Sequence, residues 1–239
     1  MNILKQRLDK IISSQFNLTR SIARTVIRRG KVSVNGEIIR DAGMLIEPDK
    51  CSIVYGDEEL EYKKYVYIIM NKPKGVLSAS EDKNRKTVVD IVPENLKRNG
   101  LFPVGRLDKD TTGLLLITDD GEFAHNVISP KKMVNKTYIA ELDGAVTEEM
   151  CDVFAKGVIL ADGTQCRPAV LKNLGECKAE ITIYEGKYHQ IKRMFGTVGL
   201  GVNGLHRKSL GGLNLPDDLA EGECRALNND QLKSVFLEK

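Results

Sequence analysis

The most informative stretch of the sequence is Gly105-Arg106-Leu107-Asp108-Lys109-Asp110-Thr111-Thr112-Gly113, which runs directly into the apolar residues Leu114-Leu115-Leu116-Ile117. A polar loop bounded by glycines therefore precedes what the apolar run predicts to be a buried strand. Such a loop can hold a carboxylate on a rigid support, and Asp108 and Asp110 are both available for that role. Aspartates in a tight loop can equally cap backbone amides, so the loop composition leaves both interpretations open.

The pattern around this loop predicts further strands and a few helices. Apolar or alternating runs predict strands at residues 66–70, 114–118, 137–142 and 179–184. Capping residues and spacing predict helices at 147–156 and 229–237. Strands outnumber helices without a regular βαβ rhythm, so the sequence predicts an α+β fold on a mixed, largely antiparallel sheet.

The first 60 residues have the pattern of a separate small module. Thr19 is a good N-cap for a helix over residues 20–29, and Asn35-Gly36 predicts a tight hairpin turn within residues 32–39. Arg20, Arg24 and Arg28 share one face of that helix and could grip phosphates, although a solvated helix face has the same pattern. The acidic stretch at 57–59 predicts a linker, which gives domains at residues 1–61 and 62–239.

Composition narrows the class of protein. The chain has 239 residues, of which 41% are hydrophobic and 29% charged, as in ordinary globular proteins. It lacks the long apolar run of a membrane span and the pattern of a signal peptide. Its five cysteines are scattered without a metal-ligand spacing, which favours free thiols and a cytoplasmic location. Although the net charge is only +3, residues 5–40 carry nine Lys or Arg against two acids, which favours a polyanionic partner.

Two further segments could carry chemistry. Tyr138 follows Lys136-Thr137 at the predicted start of a strand, where it could stack on a base, move a proton or simply pack. Residues 185–195, with the sequence EGKYHQIKRMF, contain Lys187, Lys192 and Arg193. These cations could neutralise phosphates or pair with a carboxylate, and a solvated face would have the same composition.

Taken together, these segments resemble known families. RLDKII at 7–12 and SIARTVIRRGKVSVNG at 21–36 resemble the S4 RNA-binding domain. The motifs KPKG at 72–75, GRLDKDTTGLLLITDDGEF at 105–123, KTY at 136–138 and EGKYHQIKRMF resemble, in that order, the RsuA/RluA-type pseudouridine synthases. The S4-like module points to the RsuA-like branch of that family.

The resemblance implies residue roles. Asp108 matches the essential aspartate of the family, Tyr138 the tyrosine that lies against the target base, and Lys192 the basic residue that pairs with the aspartate. Arg106 would support the loop or contact RNA phosphate. Asp110 is the competing carboxylate, which the family pattern disfavours. With the arginines of the N-terminal helix, Lys187 and Arg193 are the remaining candidate RNA-binding residues.

The chemistry explains why these residue types are needed. Pseudouridine forms when the N1–C1′ bond of uridine breaks, the uracil turns, and C5 joins C1′. A carboxylate can act as nucleophile or base and can stabilise positive charge at C1′, and a neighbouring lysine keeps that carboxylate ionised. Tyr138, directly or through water, is the plausible acceptor of the C5 proton. The reaction needs no redox change and transfers no outside group, so we expect no cofactor and no metal.

The resemblance implies that the partner is ribosomal RNA or a ribosomal assembly intermediate. The expected substrate is 16S small-subunit rRNA, and the expected enzyme is a monomer. The alternatives are a 23S rRNA enzyme of the same family and a non-catalytic RNA-binding assembly factor. A hydrolase that pairs Asp108 with Asp110 is disfavoured, because residues two apart on an extended segment point to opposite faces. We expect a cytoplasmic protein without membrane contact.

Overall fold

A computed structural model of the chain describes residues 5–237, and these fold into two compact units. The N-terminal unit holds the described residues up to Val66 together with Glu94–Leu101, and the C-terminal unit holds Tyr67–Pro93 and the described residues from Phe102 onward. The segment Glu94–Leu101 therefore belongs with the N-terminal unit although it lies within the later sequence. The functional boundary predicted at residues 61 and 62 stays a prediction.

The N-terminal unit is a small helix pair with short strands. Its elements are β1 (Gln6–Arg7), α1 (Leu8–Gln15), α2 (Arg20–Arg28), β2 (Val32–Val34), β3 (Glu37–Ile38), β4 (Leu45–Ile46), a 3-10 turn (Pro48–Lys50), β5 (Ile53–Tyr55) and β6 (Glu58–Glu59). The strands form a four-stranded sheet in the order β3-β2-β5-β6 and a separate β1-β4 pair. Apolar side chains from both helices and from β2 and β5 make its core.

The predicted helix and hairpin of this unit are confirmed, whereas the predicted linker is wrong. The Thr19 side chain caps α2, and Asn35 takes the left-handed conformation that the turn between β2 and β3 requires. The acidic residues at 57–59 form a second hairpin, in which β6 pairs with β5. Gly56, with a φ of +64°, makes that turn, because glycine accepts positive φ without a steric penalty.

The C-terminal unit carries most of the strands. Its elements are β7 (Tyr67–Lys72), β8 (Phe102–Pro103), β9 (Thr112–Thr118), α3 (Gly121–Ile128), β10 (Lys136–Leu142), α4 (Glu148–Lys156), β11 (Val170–Gly175), β12 (Lys178–Ile183), α5 (Gln190–Thr197), β13 (Val202–Leu210), β14 (Leu213–Asn214), β15 (Cys224–Ala226) and α6 (Asn229–Ser234). Each predicted strand is present, and α4 begins after Thr147 as expected. α6 is shorter than predicted.

The sheet of this unit has the order β11-β12-β10-β13-β9-β7-β15, with β14 on β13 and β8 on β9. Its neighbouring strands run antiparallel except at β13 and β9, which pair in parallel through His206 with Thr112 and Arg207 with Gly113. The predicted mixed, largely antiparallel sheet is thus confirmed. At this joint Gly113 has a φ of +99°, and a Cβ there would lie 2.4 Å from the carbonyl oxygen of Arg207. Only glycine fits such a close approach.

The buried residues of β7 and β9, with those of α3 and the chain after β13, form the core beneath one half of the sheet. The strand predicted from the Leu114 run is buried at six consecutive positions, as a strand covered on both faces should be. Among residues 5–237, no helix has the length and apolar character needed to cross a bilayer.

A buried carboxylate holds the arginine face of the N-terminal unit. Asp9 on α1 is 0% exposed and accepts hydrogen bonds from Arg7 at 3.0 Å, Arg24 at 2.9 Å and Arg20 at 3.2 Å. The Arg7 guanidinium, followed by those of Arg24 and Arg20, holds the pKa of Asp9 well below its usual range against the opposing effect of burial. Arg20 and Arg24 are therefore fixed in position while remaining about half exposed.

We predict that Asp9→Asn destabilises the N-terminal unit at pH 7 by about 2–4 kcal/mol, since three guanidinium groups lose a buried partner but keep access to water. The folded-state pKa of Asp9 lies below its unfolded value of about 3.9, so its contribution is complete above that value and is lost as pH falls further. Hydrogen exchange of the α1 and α2 amides at pH 7 and pH 3 measures both effects. The exposed Glu37→Gln is the control, and an unchanged protection in Asp9→Asn contradicts the account.

Candidate active site

Three side chains predicted to act together line one cavity of about 90 Å³ in the C-terminal unit. Asp108 comes from the loop before β9, Tyr138 from β10, and Lys192 from the first turn of α5. Arg106 and Lys187 line the same cavity. The sequence motifs are far apart along the chain, and the order of β9, β13 and β10 in the sheet brings them to one place.

The loop that carries Asp108 is held by hydrogen bonds to the backbone of the residues before and after Asp108. The Ser78 hydroxyl donates to the carbonyl of Leu107 at 2.9 Å and accepts from its amide at 3.0 Å. The Gly75 amide donates to the carbonyl of Lys109 at 2.8 Å. Such contacts fix the backbone on both sides of Asp108, which is the condition for a preorganised catalytic group.

The strongest hold on this loop is the buried ammonium of Lys72. Its side chain is 0% exposed, and Nζ donates to the carbonyl oxygens of Pro73 at 3.0 Å, Lys109 at 3.3 Å and Thr111 at 3.0 Å. Burial lowers the pKa of Lys72 to about 8, while the nearby carboxylates of Asp110 and Asp108 act in the opposite direction. The Lys72 ammonium therefore stays charged at neutral pH, and carboxylates of the same loop that it holds contribute to this.

The position of Lys192 differs in part from the sequence prediction. Its ammonium lies 4.0 Å from Asp108 and only 2.6 Å from Asp110, so the direct hydrogen bond goes to Asp110. That hydrogen bond holds the pKa of the Asp110 carboxyl below its ordinary value. Lys192 is therefore shared between the two carboxylates. The Asp108 side chain is 31% exposed.

The expectation that Asp108 and Asp110 point to opposite faces is wrong. The segment between them is a turn, closed by a hydrogen bond from the Thr111 amide to the Asp108 carbonyl at 3.1 Å, and not an extended strand. A turn lets both carboxylates reach the one ammonium of Lys192, whereas alternation of faces applies only to extended chain. The two acids meet at a cation, which favours an ion-pair network over two independent acid–base groups.

Tyr138 forms an inner wall of the cavity and is held by a buried cation. The residue is 6% exposed and lies at a β-bulge in β10, opposite Arg207 of β13. The Arg207 guanidinium lies 6.0 Å from the centroid of the Tyr138 ring, within the range of a cation–π contact. Its Nε donates to the carbonyl of Leu114 at 2.6 Å, so one side chain links β9 to the tyrosine.

His189 is a fourth group beside Asp108. Its Nε2 lies 3.5 Å from Asp108 Oδ1, and its backbone takes the left-handed conformation with a φ of +46°. Left-handed backbone is uncommon for a residue other than glycine and is concentrated at functional sites. His189 lies within the EGKYHQIKRMF motif, but its residue type and position did not by themselves predict a role.

The remaining candidate RNA-binding residues are dispersed. Arg106 is exposed at the rim of the cavity, and Lys187 is tied to Glu185 at 2.6 Å. Arg193 pairs with Asp162 at 2.5 Å instead of lining the cavity. The three arginines of α2 belong to the N-terminal unit, where two of them contact Asp9 and Arg28 lies outside that cluster. These positions leave the predicted RNA contacts as predictions.

A second and larger cavity, of about 410 Å³, lies elsewhere in the C-terminal unit. Its described lining is formed by Asn126, Lys132, Met133, Val134, Asn135, Val235, Phe236 and Leu237. This lining includes none of the carboxylates or cations discussed above. Size alone therefore favours this cavity, whereas the grouping of ionisable side chains favours the cavity at Asp108.

Sequence reasoning missed Lys72, Ser78 and Arg207 as parts of the site. A sequence signal existed for Lys72. It continues the inward alternation of Ile68 and Met70 along β7, and a lysine at a buried strand position needs a specific partner. Arg207 is 3% exposed in β13, a strand that was not predicted from the sequence. No local pattern marks Ser78, whose role comes from a hydrogen bond across 29 residues of sequence.

Comparisons with known proteins identify the family of both parts of the chain. The family described as RNA pseudouridylate synthase matches residues 66–197, and the S4 domain matches residues 6–50. A solved structure described as a pseudouridylate synthase is 37% identical, with a TM-score of 0.68, over 96% of this chain and 99% of that chain.

Relatives of similar length extend the likeness over nearly the whole chain. Ribosomal small subunit pseudouridine synthase A of Escherichia coli (strain K12) is 40% identical over 96% of this chain and 99% of its own length. An RNA pseudouridine synthase of Bacillus subtilis (strain 168), YtzG, is 39% identical over 95% of this chain and 96% of its own length. With its S4 domain and the cavity that joins Asp108, Tyr138 and Lys192, the chain belongs to the RNA pseudouridylate synthase family.

Proposed function

We propose that this chain isomerises one uridine to pseudouridine in 16S ribosomal RNA, with Asp108 as the catalytic carboxylate. The single observation that carries the proposal is the fixed loop that presents Asp108 in a cavity together with Tyr138 and Lys192. A non-catalytic RNA-binding factor would need no such convergence of a clamped carboxylate, a phenol and an ammonium.

Asp108 acts at the ribose. As the N1–C1′ bond breaks, positive charge develops at C1′, and a carboxylate held against that carbon stabilises it without moving. The clamp by Lys72, Gly75 and Ser78 supplies that rigidity. Pseudouridine forms only if water stays out of the site during the turn of the uracil, and the buried side of the cavity at Tyr138 helps to exclude it.

Lys192 acts as a shared counter-ion. Its hydrogen bond to Asp110 at 2.6 Å holds the pKa of that carboxyl below its ordinary value, and its approach to Asp108 at 4.0 Å places a positive charge near the Asp108 carboxylate without a direct hydrogen bond. Asp110 thus positions Lys192, and Asp108 faces the reacting atoms. This division of labour explains why two acids so close in sequence have different roles.

Tyr138 lies against the flipped uracil. Tyr138 lines the cavity, and the Arg207 guanidinium lies 6.0 Å from the centroid of its ring, within cation–π range. After C5 bonds to C1′, the C5 proton must leave, and we assign its relay to water to the phenol oxygen of Tyr138. The positioning residues, which take no chemical step themselves, are Asp110, Lys72, Ser78 and Arg207.

We infer the small-subunit substrate from the descriptions of similar proteins. Relatives described as ribosomal small subunit pseudouridine synthase A are 36–40% identical over 96% of this chain, and the S4 domain suits binding of structured RNA. We assign phosphate contacts to Arg20, Arg24 and Arg28 of α2 and to Arg106, Lys187 and Arg193. A ribosomal substrate places the enzyme in the cytoplasm, where we expect it to act as a monomer on 16S rRNA or an assembly intermediate.

Pseudouridine mapping in rRNA tests this function. Total rRNA from cells with the gene, without it, and with Asp108→Asn in its place is sequenced for pseudouridine. The proposal predicts one 16S position that is modified only in the presence of the unaltered gene. A lost modification in 23S rRNA instead, or no change in either rRNA, contradicts the substrate assignment.

We predict that Asp108→Asn reduces single-turnover isomerisation by at least about 10³-fold, because an amide has the same shape but cannot stabilise charge at C1′. RNA affinity should remain within a few fold of the unaltered enzyme. The matched control is Asp110→Asn, which loses only the anchor of Lys192 and should keep activity within about tenfold. The assignment of the two carboxylates is reversed if Asp110→Asn is the inactive variant.

We also predict an alkaline loss of activity that depends on Lys72. Because the folded-state pKa of Lys72 is about 8, its ammonium is charged below that pH and becomes neutral above it. The neutral amine has one donor fewer for the three carbonyls, so the Asp108 loop loosens and the single-turnover rate falls as pH rises through about 8. Lys72→Met should be slower by about tenfold at pH 7 and should lack this fall.

Lys136→Met is the matched control for this pH profile. Burial, assisted by the nearby charge of Arg207, also lowers the pKa of Lys136 to about 8, but the Lys136 ammonium donates to the carbonyl of Val134 and not to the Asp108 loop. The alkaline fall should persist in Lys136→Met. Its disappearance there, or its persistence in Lys72→Met, contradicts the role of Lys72 as the clamp.

A further inference from the structure

An exposed aromatic stack stands beside the catalytic carboxylate. The rings of Tyr188 and His189 are stacked, with centroids 4.0 Å apart and planes inclined by 16°. His189 lines the cavity and places Nε2 at 3.5 Å from Asp108, whereas Tyr188 is 77% exposed and lies outside the lining. The order from the cavity outward is therefore Asp108, His189, Tyr188 and solvent.

The backbone that carries this stack is firmly held although its rings are open to solvent. Gln190, which is 3% exposed, accepts from the Lys187 amide at 2.9 Å and donates to Glu185 at 3.0 Å. The Lys187 ammonium donates to Glu185 at 2.6 Å and to the carbonyl of Gln165 at 2.9 Å. Such a network fixes the loop on both sides of Tyr188, so the exposed ring is presented in a fixed orientation.

The left-handed backbone conformation of His189 is a second sign that this loop is held in a specific conformation. A φ of +46° is unfavourable for a side chain with a Cβ and persists only where the surrounding contacts impose it. In this loop the conformation directs the His189 ring toward Asp108 with the Tyr188 ring packed over it. An exposed aromatic ring stacked on a residue that lines the cavity offers a flat face on which a base can stack.

We propose that the outer face of Tyr188 is a stacking site for a nucleobase of single-stranded RNA, contributed by a nucleotide adjacent to the target uridine. The inference rests on the proposed function and adds to it a second base-binding site. When a uridine leaves its stack to reach Asp108, the neighbouring base loses a stacking partner, and an exposed aromatic face can replace it. Arg106 at the rim of the cavity supplies a cation for the phosphate between the two nucleotides.

The chemistry of the site favours a base over other occupants. Tyr188 offers one flat aromatic face, and the Arg193 guanidinium, which pairs with Asp162, also donates to the carbonyl of Tyr188 at 3.4 Å. A base stacked on this face would lie at a set distance from Asp108, because His189 fills the space between them. The stack would thereby fix which nucleotide of the strand faces the carboxylate.

The sequence contains no tryptophan, so Tyr188→Trp introduces a single tryptophan, whose fluorescence is excited selectively over that of the tyrosines, and keeps an aromatic face. The probe is single-stranded oligouridylate of about ten nucleotides, and the comparison is an abasic oligomer of the same length and charge. We expect oligouridylate to quench the fluorescence of Tyr188→Trp and the abasic oligomer to leave it unchanged. Equal quenching by both oligomers, or quenching by neither, overturns the proposal.

The matched control is Leu174→Trp, which places a tryptophan on a half-exposed residue of β11 near its turn into β12. Strand register places this turn beside Glu141 at the far end of β10 from Lys136. Neither oligomer should quench its fluorescence. Base-dependent quenching of this control to the same extent as Tyr188→Trp also overturns the proposal, because it indicates contact without a defined stacking site.

Activity variants separate this site from the catalytic assignment. Tyr188→Ala should raise the RNA concentration for half-maximal single-turnover rate by about 5- to 100-fold, while Tyr188→Phe stays near the unaltered enzyme because its ring still stacks. Unchanged half-saturation in Tyr188→Ala contradicts the stacking site. If pseudouridine forms without base-dependent quenching, this inference fails and the proposed function stands. If quenching occurs but no pseudouridine forms in any RNA, the proposed function fails alone.

Discussion

The buried ammonium of Lys72 is the interaction on which the site depends. A lysine that is 0% exposed must find partners for three N–H groups, and it finds them in the carbonyls of Pro73, Lys109 and Thr111. Two of these carbonyls belong to the loop that bears Asp108. The buried Lys72 ammonium thus fixes the position of the Asp108 carboxylate. Electrostatic catalysis requires preorganisation of this kind.

The second constraint is the parallel contact between β9 and β13. The backbone of Gly113 approaches Arg207 so closely that a Cβ would overlap its carbonyl oxygen. Because β13 also pairs with β10, this approach brings the Asp108 loop next to the strand that carries Tyr138. The Arg207 side chain reinforces the same joint by contacting both the Leu114 carbonyl and the Tyr138 ring. Gly113, at the end of the GRLDKDTTG segment, is therefore required by the close approach of the two strands and not by the chemistry of the site.

Local patterns predicted much of this protein and failed where contacts span long stretches of sequence. Alternation and capping predicted α2, the hairpin at Asn35-Gly36 and the strands around Tyr138, because these depend on neighbouring residues. Strand alternation failed for Asp108 and Asp110, since a turn lies between them. The acidic hairpin of β5 and β6 looked like a linker because charge conceals a two-residue strand. The partners of Lys192 and Lys72 could not be predicted, since they depend on how distant segments meet.

In the proposed mechanism Asp108 faces the target nucleotide from its clamped loop while Asp110 holds Lys192. A crystal structure of Asp108→Asn bound to a 16S rRNA fragment that contains the mapped uridine would show which carboxylate position meets the ribose. We expect the side chain at position 108 within about 3.5 Å of C1′ of the flipped uridine, with Asp110 still hydrogen-bonded to Lys192. A uridine whose C1′ lies against Asp110 instead, with position 108 turned away, would contradict it.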